Sequence, residues 1–251
     1  MLVNKYKLTR ELSSGCFGKI WKGFHIKTLE TVAVKQELKT SVSMLKHEST
    51  IHNYLSKLDC VPTLKWFGAD NAHFYMVMPM LHMNIREMKS GHGIYTQEEA
   101  LSIGEKMLNV VCDIHEMQIV HSDIKPDNFM FNTNGELFII DFGFARTFCP
   151  EKRMLSSSIG TQNYMSRAVH SSCEPRYTDD IESVLYVILY LCSAKLPWES
   201  LANYDIQCEK ETFFTKNTNS EYNRLAEIIT YINGMPQQDK PDRLSLLSCC
   251  K

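Results

Sequence analysis

Residues 121–129 read HSDIKPDNF, a stretch in which two carboxylates, a lysine, a histidine and a carboxamide share nine positions. Two apolar residues, Ile119 and Val120, lead into it and are expected to be buried. So much polar chemistry beside a buried segment favours either a functional loop or a chance surface loop. The stretch alone does not distinguish a functional loop from a surface loop. The distinction depends on the polar groups that other segments of the chain supply.

The composition is that of a globular protein. The chain has 251 residues, of which 44% are hydrophobic and 22% charged, enough for one large domain or two lobes. A net charge of −2 gives no electrostatic reason to expect nucleic acid or an acidic membrane as a partner. The nine cysteines are scattered and never spaced as C-x-x-C, which favours reduced thiols over disulfides or zinc.

The sequence contains no signal for membrane insertion. Its first residues, MLVNKYKLTR, lack an apolar signal core, and Leu2 excludes myristoylation at that position. The longest apolar run, VLYVILYLC at 184–192, is far shorter than a membrane span and predicts a buried helix. We expect a monomer of the cytoplasm or nucleus without a membrane anchor.

The hydrophobic pattern changes along the chain from strand-like to helix-like. The predicted elements are strands at 6–12, 20–24, 31–35 and 74–80, and helices at 42–57, 97–117, 179–194 and 221–233. A strand-rich part followed by a helix-rich part predicts an α+β chain with two lobes, an N-lobe of about 1–81 and a C-lobe of about 82–251.

Two glycines lie between the first two predicted strands, in SSGCFGKI at 13–20. Gly15 and Gly18 permit backbone conformations and a close approach that a Cβ atom would obstruct. A hairpin tip of this kind can present N–H groups to phosphates, although most glycines in hairpins only serve the turn.

Lys35 ends the apolar strand TVAVK, and an unpaired ammonium group in a protein interior is costly. It therefore needs an acidic partner. In the next predicted helix Met44, Glu48, Ile51 and Leu55 share one face, of which Glu48 is the only acid. We predict a Lys35–Glu48 ion pair whose ammonium can hold phosphate oxygens; the alternative places Glu48 in water at the edge of this face.

A further acid follows an apolar strand in FIIDFG at 138–143. Asp141 is placed to ligate a hard cation, and Asn128 can supply a second oxygen. Such ligands suit Mg²⁺ when substrate phosphates complete the coordination. The triplet DFG alone is common in unrelated proteins.

The order of these segments is more specific than any one of them. A glycine hairpin, a strand lysine, a helix glutamate, H-x-D-x-K-x-x-N and D-F-G follow one another, and in this the chain resembles the eukaryotic protein kinases from about residue 6 to 247. Further stretches are similar to the casein kinase 1 family, with the vaccinia-related kinases a weaker fit: VPTLKWFGAD at 61–70, DIKPDNF at 123–129, IIDFGFAR at 139–146, GTQNYMSRAVH at 160–170, TDDIESVLYVILYL at 178–191, LPW at 196–198 and KPD at 240–242.

The resemblance implies a serine/threonine kinase that transfers the γ-phosphate of ATP to protein hydroxyls, with Mg²⁺ as cofactor. Position by position, it implies that Asp123 accepts or orients the substrate hydroxyl proton and that Lys125 steadies the γ-phosphate. Lys35 and Glu48 would be the phosphate-holding pair. Asp180 would anchor the catalytic loop.

The resemblance also implies the residues that hold nucleotide and metal. Asn128 and Asp141 would ligate Mg²⁺. The nucleotide-binding residues would be Ser13, Gly15 and Gly18 in the phosphate loop, Ile20, Ala33, Met130 and Ile140 around the adenine, Lys35 at the phosphates, Met78 as gatekeeper, and Leu81 in the hinge Pro79–Leu81.

Three departures from the family pattern affect these expectations. Ser13 replaces the first glycine of the loop, which predicts looser nucleotide affinity. Ser122 replaces the arginine that reads a phosphorylated activation loop, so we expect activity without an upstream kinase. Asn163 replaces a family arginine, and residues 199–211 carry four acids and one lysine where the family has a lysine-rich loop. A preference for acidic or phosphate-primed substrates is therefore not implied.

Two other classes of function compete with this reading. A pseudokinase scaffold that binds nucleotide and partner proteins would need a broken catalytic set, yet the implied catalytic and metal residues are all present. A small-molecule kinase of related design is disfavoured by GTQNYMSRAVH, which suits an extended peptide.

Overall fold

The structure is a computed structural model that describes residues 1–15, 18–39, 43–151, 153–217, 223–236 and 240–250. These residues form two compact units. The first unit contains Met1–Met83 and Met130–Gly143, and the second contains Asn84–Phe129 and the described residues from Phe144 onward. Sequence analysis places 130–143 in the second lobe instead; the segment packs in the first unit, where Ile139 N donates to Cys60 O (2.9 Å).

The described elements change from strands to helices along the chain, which confirms the predicted α+β class. The strands are β1 Leu2–Val3, β2 Tyr6–Gly15, β3 Gly18–His25, β4 Thr31–Leu38, β5 Trp66–Ala69, β6 His73–Pro79, β7 Met83–Asn84, β8 Ile119–Val120, β9 Phe129–Phe131, β10 Leu137–Ile139 and β11 Arg146–Thr147. The helices are α1 Met44–Tyr54, α2 Ile85–His92, α3 Gln97–Glu116, α4 Arg167–His170, α5 Tyr177–Cys192, α6 Asn203–Lys216, α7 Asn223–Gly234 and α8 Arg243–Ser248. All four predicted strands and all four predicted helices are among them.

The first unit is built on a six-stranded sheet in the order β1-β2-β3-β4-β6-β5. Along β4 the side chains alternate between two faces. Val32 and Val34 are fully buried in a core that also contains Tyr75 and Val77. Because of the alternation, Lys35 and Ala33 lie on the opposite face, which is the face that matters for the candidate site.

Helix α1 begins after Ser43, whose side chain accepts a hydrogen bond from Lys46 N and so satisfies one of the free N–H groups of the first turn. Glu48 is buried, as expected. The predicted apolar face is wrong in detail, because Met44 and Ile51 are only partly buried. The buried residues of the helix are Leu45, Glu48, Ser49 and His52.

The second unit is centred on α5, which is buried along almost its whole length. This confirms the buried helix predicted for the apolar run at 184–192. Gly104 of α3 permits close packing, since a Cβ atom there would lie 2.4 Å from Ile188 Cδ1. In the described part of the chain no helix is long and apolar enough to cross a membrane.

Candidate active site

The glycine hairpin joins β2 and β3, with Gly15 opposite Gly18 and Ser13 opposite Ile20. Gly18 has a φ of +105°, and a Cβ atom on it would lie 2.0 Å from the carbonyl oxygen of Gln36. Backbone packing against β4 therefore requires glycine at this position, whatever else the loop does. Its contact with phosphate stays a prediction, and residues 16 and 17 at the tip lie outside the described residues.

Every residue implied in nucleotide binding belongs to the first unit. In the sheet Ile20 lies opposite Lys35, and Ala33 lies opposite Met78. Since cross-strand partners share a face, these residues form one surface of the sheet. The hinge and the 130–143 segment supply the remaining implied residues, of which Leu81 is buried and Met130 and Ile140 are partly buried.

A buried ion-pair cluster lies on this face. Lys35 Nζ donates to Glu48 Oε2 at 2.6 Å and to Asp141 Oδ1 at 2.8 Å. Only 8% of Lys35 and 1% of Glu48 are exposed. The predicted Lys35–Glu48 pair is therefore present, and the contact with Asp141 adds a second carboxylate that the sequence pattern does not reveal.

The electrostatics of the cluster favour a charged lysine. Burial alone would lower the pKa of Lys35, but the carboxylates of Glu48 and Asp141 outweigh it and hold that pKa above its usual value. Burial raises the pKa of Glu48 to about 7, and Lys35 opposes that rise. The second oxygen of Glu48, Oε1, has no hydrogen-bond partner among the described residues. Glu48 thus depends on the lysine for its charge.

The residues implied in metal binding suit Mg²⁺ by their chemistry. Asp141 offers a carboxylate from a backbone with a φ of +66°. Asn128 donates its amide nitrogen to Asp123 O at 2.8 Å, which leaves the amide oxygen as its ligand atom. Among the described residues no cluster of three or more His, Cys, Asp or Glu could bind a metal by itself. A Mg²⁺ ion held by these two residues would need further oxygen ligands from substrate phosphates or water.

His52 is buried beside this cluster without hydrogen bonds to its ring. Its ring meets Phe142 edge-on at 5.8 Å between centroids, and neither ring nitrogen has a partner in the described part of the chain. Burial lowers the pKa of His52 to about 4. The unfolded chain therefore binds more protons between about pH 6.5 and 4, and stability should fall as the pH drops through that window.

We therefore expect His52→Leu to remove much of this loss of stability at low pH. The loss amounts to on the order of 3 kcal/mol in the free energy of unfolding at the low-pH end of the window. At pH 7 the variant should be at least as stable as the wild type, because an unpartnered buried nitrogen is costly. Thermal unfolding at pH 7 and pH 5 measures both effects. His47→Gln, an exposed histidine of the same helix, is the control. An equal loss of stability at pH 5 in wild type and His52→Leu would contradict the assignment.

In the second unit the side chains of Lys125, Asn128 and Thr161 converge on Asp123, which is 4% exposed. Lys125 Nζ donates to Asp123 Oδ2 at 2.5 Å, and Thr161 Oγ1 donates to Asp123 Oδ1 at 2.8 Å. Lys125 also lies 3.3 Å from Thr161 Oγ1. These hydrogen bonds orient both oxygens of the Asp123 carboxylate. A carboxylate that accepts a proton from a substrate must be held in a fixed orientation.

Asp180, at the start of α5, holds the backbone that leads into Asp123. Its two carboxylate oxygens accept from His121 N at 2.8 Å and from Ser122 N at 2.9 Å, and its Oδ2 lies 2.9 Å from His115 Nε2. These are the contacts expected of an anchor for the loop. Ser122 adopts a φ of +69°, a conformation that this anchoring supports.

Thr161 is a site residue that sequence analysis does not name. Its only signal is its place in GTQNYMSRAVH. Gly160 beside it has a φ of +96°, and a Cβ atom there would lie 2.8 Å from Ser122 O. The glycine thus permits the close approach that brings Thr161 to Asp123.

Comparison with known protein families gives a match over almost the whole chain. A family model described as protein kinase domain matches residues 6–251 of the chain. The matched range contains the glycine hairpin, the Lys35 cluster, the Asp123 cluster and the Asp180 anchor.

Proposed function

The chain belongs to the protein kinase domain family, and from that premise we propose that it is an active serine/threonine kinase of the casein kinase 1 type. The family implies phosphoryl transfer from ATP to protein substrates, usually with Mg²⁺. The observation that carries the proposal is the intact cluster of Lys35, Glu48 and Asp141. The casein kinase 1 assignment is supported by the similar sequence stretches, above all GTQNYMSRAVH at 160–170.

The proposed roles follow from the charges of the two clusters. Lys35, held by Glu48, would bind phosphate oxygens of the nucleotide. Asp123 would accept or orient the proton of the substrate hydroxyl, and Lys125 would balance the charge that moves during transfer. Phosphoryl transfer depends mainly on such positioning and electrostatic stabilisation.

Asp141 and Asn128 would hold Mg²⁺. When bound, the ion neutralises charge on the phosphates. The contact of Asp141 with Lys35 at 2.8 Å places a positive charge beside this carboxylate ligand. We further propose that residues 1–251 form one kinase domain and that the protein acts as a monomer in the cytoplasm or nucleus.

The alternative function is a nucleotide-binding scaffold with weak catalysis. Ser13 in place of a loop glycine is the feature in its favour. Against it stands the carboxylate of Asp123, which is oriented through both of its oxygens, since nucleotide binding alone does not need that arrangement.

A phosphorylation assay on a peptide array with purified protein, ATP and Mg²⁺ tests the proposal. The array carries matched peptides with Ser, Thr or Tyr as acceptor, each with neutral, acidic and phosphorylated flanks. We expect transfer to Ser and Thr and no requirement for a phosphorylated flank. Thermal stabilisation by ATP and Mg²⁺ without any transfer would favour the scaffold, and transfer confined to Tyr would refute the serine/threonine assignment.

Protein contacts join several residues between Arg146 and Glu174, in the activation segment that follows D-F-G. Arg146 pairs with Glu174 at 3.1 Å, and Leu155 N donates to Ser172 O at 2.7 Å. Glu174 N donates to Arg153 O at 3.0 Å. These contacts support the proposal that the segment needs no phosphate bound to an arginine to become ordered.

We therefore expect the triple variant Ser156→Ala, Ser157→Ala, Ser158→Ala to keep wild-type turnover, because these exposed serines contribute no such contact. Steady-state kinetics of bacterially expressed, phosphatase-treated protein provide the measurement. A several-fold stimulation of the wild type by a second kinase, absent in the triple variant, would show that the segment is switched after all.

A further inference from the structure

Lys210 of α6 is a fully buried lysine for which the proposed mechanism has no use. It is 0% exposed. Its Nζ donates to Gln162 O at 2.8 Å and to Met165 O at 2.7 Å, and it lies 3.1 Å from His170 Nε2. An ammonium group has three hydrogens, so these three partners use all of them.

Two aromatic rings and a carboxylate favour the cation of Lys210, whereas its burial disfavours it. Its Nζ lies 4.6 Å from the ring centre of Tyr186 and 5.2 Å from that of Trp198, distances at which ring faces attract a cation. Burial lowers the pKa of Lys210 to about 7, and Glu182 opposes the shift. Burial also lowers the pKa of His170 to about 4, so its neutral ring offers an acceptor nitrogen at pH 7.

Two of the three acceptors of Lys210, Gln162 O and Met165 O, belong to one turn, residues 161–165. Tyr164 N and Met165 N donate to Thr161 O at 2.8 and 2.9 Å. Trp198 Nε1 donates to Asn163 O at 2.8 Å. With the two bonds from Lys210, four carbonyl groups of the turn are satisfied, two of them by one ammonium. The lysine therefore fixes the backbone of the turn from its buried side.

Thr161, the first residue of this turn, reaches the Asp123 cluster, because its Oγ1 donates to Asp123 Oδ1. We propose that Lys210 is a positioning residue that holds the 161–165 turn, and through Thr161 the Asp123 carboxylate, in register for the protein substrate. The inference rests on the proposed kinase function. It also excludes a role for Lys210 in binding an anionic substrate side chain, since no hydrogen of its ammonium is left for one.

The test compares Lys210→Met with the wild type in steady-state kinetics against peptide and against ATP. Methionine keeps most of the volume and removes all three hydrogen bonds, so the turn should shift while the fold is retained. We expect kcat to fall at least about tenfold, as a small misplacement of reacting groups does. KM for ATP should stay unchanged, because the residues implied in nucleotide binding lie in the first unit. Lys106→Met, an exposed lysine on α3, is the matched control.

A double-mutant cycle with Thr161→Val separates positioning from a general loss of packing. If Lys210 acts through Thr161, the double variant should be no slower than the slower single variant, whereas independent effects multiply. If Lys210→Met does not fold, the same kinetic measurements are made on His170→Leu, which removes one acceptor of the ammonium. We expect a smaller fall in kcat for this variant.

Three results would overturn the inference: wild-type kcat in folded Lys210→Met, multiplicative effects in the cycle, or wild-type kcat in His170→Leu when the lysine variant is unfolded. An inactive wild type would refute the proposed function itself, and the two failures are thereby told apart.

Discussion

Replacement of Lys35 by methionine should abolish phosphotransfer and leave the protein folded. Its ammonium contacts the carboxylates of both Glu48 and Asp141. Without it no positive charge at this position meets the phosphates. The loss of one such electrostatic contact costs at least about a hundredfold in kcat, and a radiolabelled ATP assay measures it directly.

The fold should survive because the buried carboxylate of Glu48 need not stay charged. The pKa of Glu48 already lies at about 7, and the lysine is what opposes its rise. In Lys35→Met the acid takes up a proton near neutral pH, so an unpaired buried charge is avoided. Lys7→Met, an exposed strand lysine, should keep its activity and serves as the control. Normal turnover by pure Lys35→Met would remove Lys35 from the catalytic set.

The Lys35–Glu48 pair could be predicted because both residues violate a local pattern. A lysine at the end of an apolar strand and an acid on a buried helix face each need a partner, and the cost of burying either alone makes the pairing a physical demand. Asp141 as a second partner could not be predicted in this way. It lies 106 residues from Lys35 in the chain, and no local periodicity connects the two.

The helices and strands that could be predicted have a strong periodicity of hydrophobic residues. The elements that were not predicted lack this periodicity. Helix α2 is short and mostly polar, yet its start carries a readable signal: Asn84 accepts from Glu87 N at 2.8 Å and Glu87 accepts from Asn84 N at 2.9 Å, a capping box. Helix α6 gives no comparable signal, because one of its buried positions is Lys210. Burial of a lysine depends on carbonyl groups of a distant turn, which no sequence pattern specifies.

The Asp123 cluster shows the same limit within one loop. The sequence places Asp123, Lys125 and Asn128 together because they are neighbours in the chain. Thr161 joins them only because Gly160 permits a close backbone approach to Ser122. Spacing predicts which side chains share a loop, but not which hydroxyl from another segment completes it.

Replacement of Asp123 by asparagine should lower kcat by about a hundredfold to ten-thousandfold, the usual contribution of a positioned general base. The amide keeps the shape of the side chain but has one acceptor oxygen in place of two. It cannot accept from Thr161 and Lys125 at once, whereas the carboxylate accepts from both. It also cannot take the proton of a substrate hydroxyl, so nucleotide binding should persist while transfer stops.

The matched control is Asp127→Asn in the same loop. Asp127 forms a two-point ion pair with Arg86 at 2.7 and 2.8 Å. Among the described contacts it has none with the side chains of the Asp123 cluster. Loss of its charge should therefore lower the stability by about 1 kcal/mol or less and leave kcat near the wild-type value. Thermal unfolding and nucleotide-induced stabilisation of both variants show whether each is folded. Because the two changes are chemically identical and four residues apart, a general effect of removing a loop carboxylate would lower both rates. If Asp123 takes the substrate proton, kcat should fall in Asp123→Asn and not in Asp127→Asn. Equal kcat values for the two variants would show that Asp123 does not act as the base.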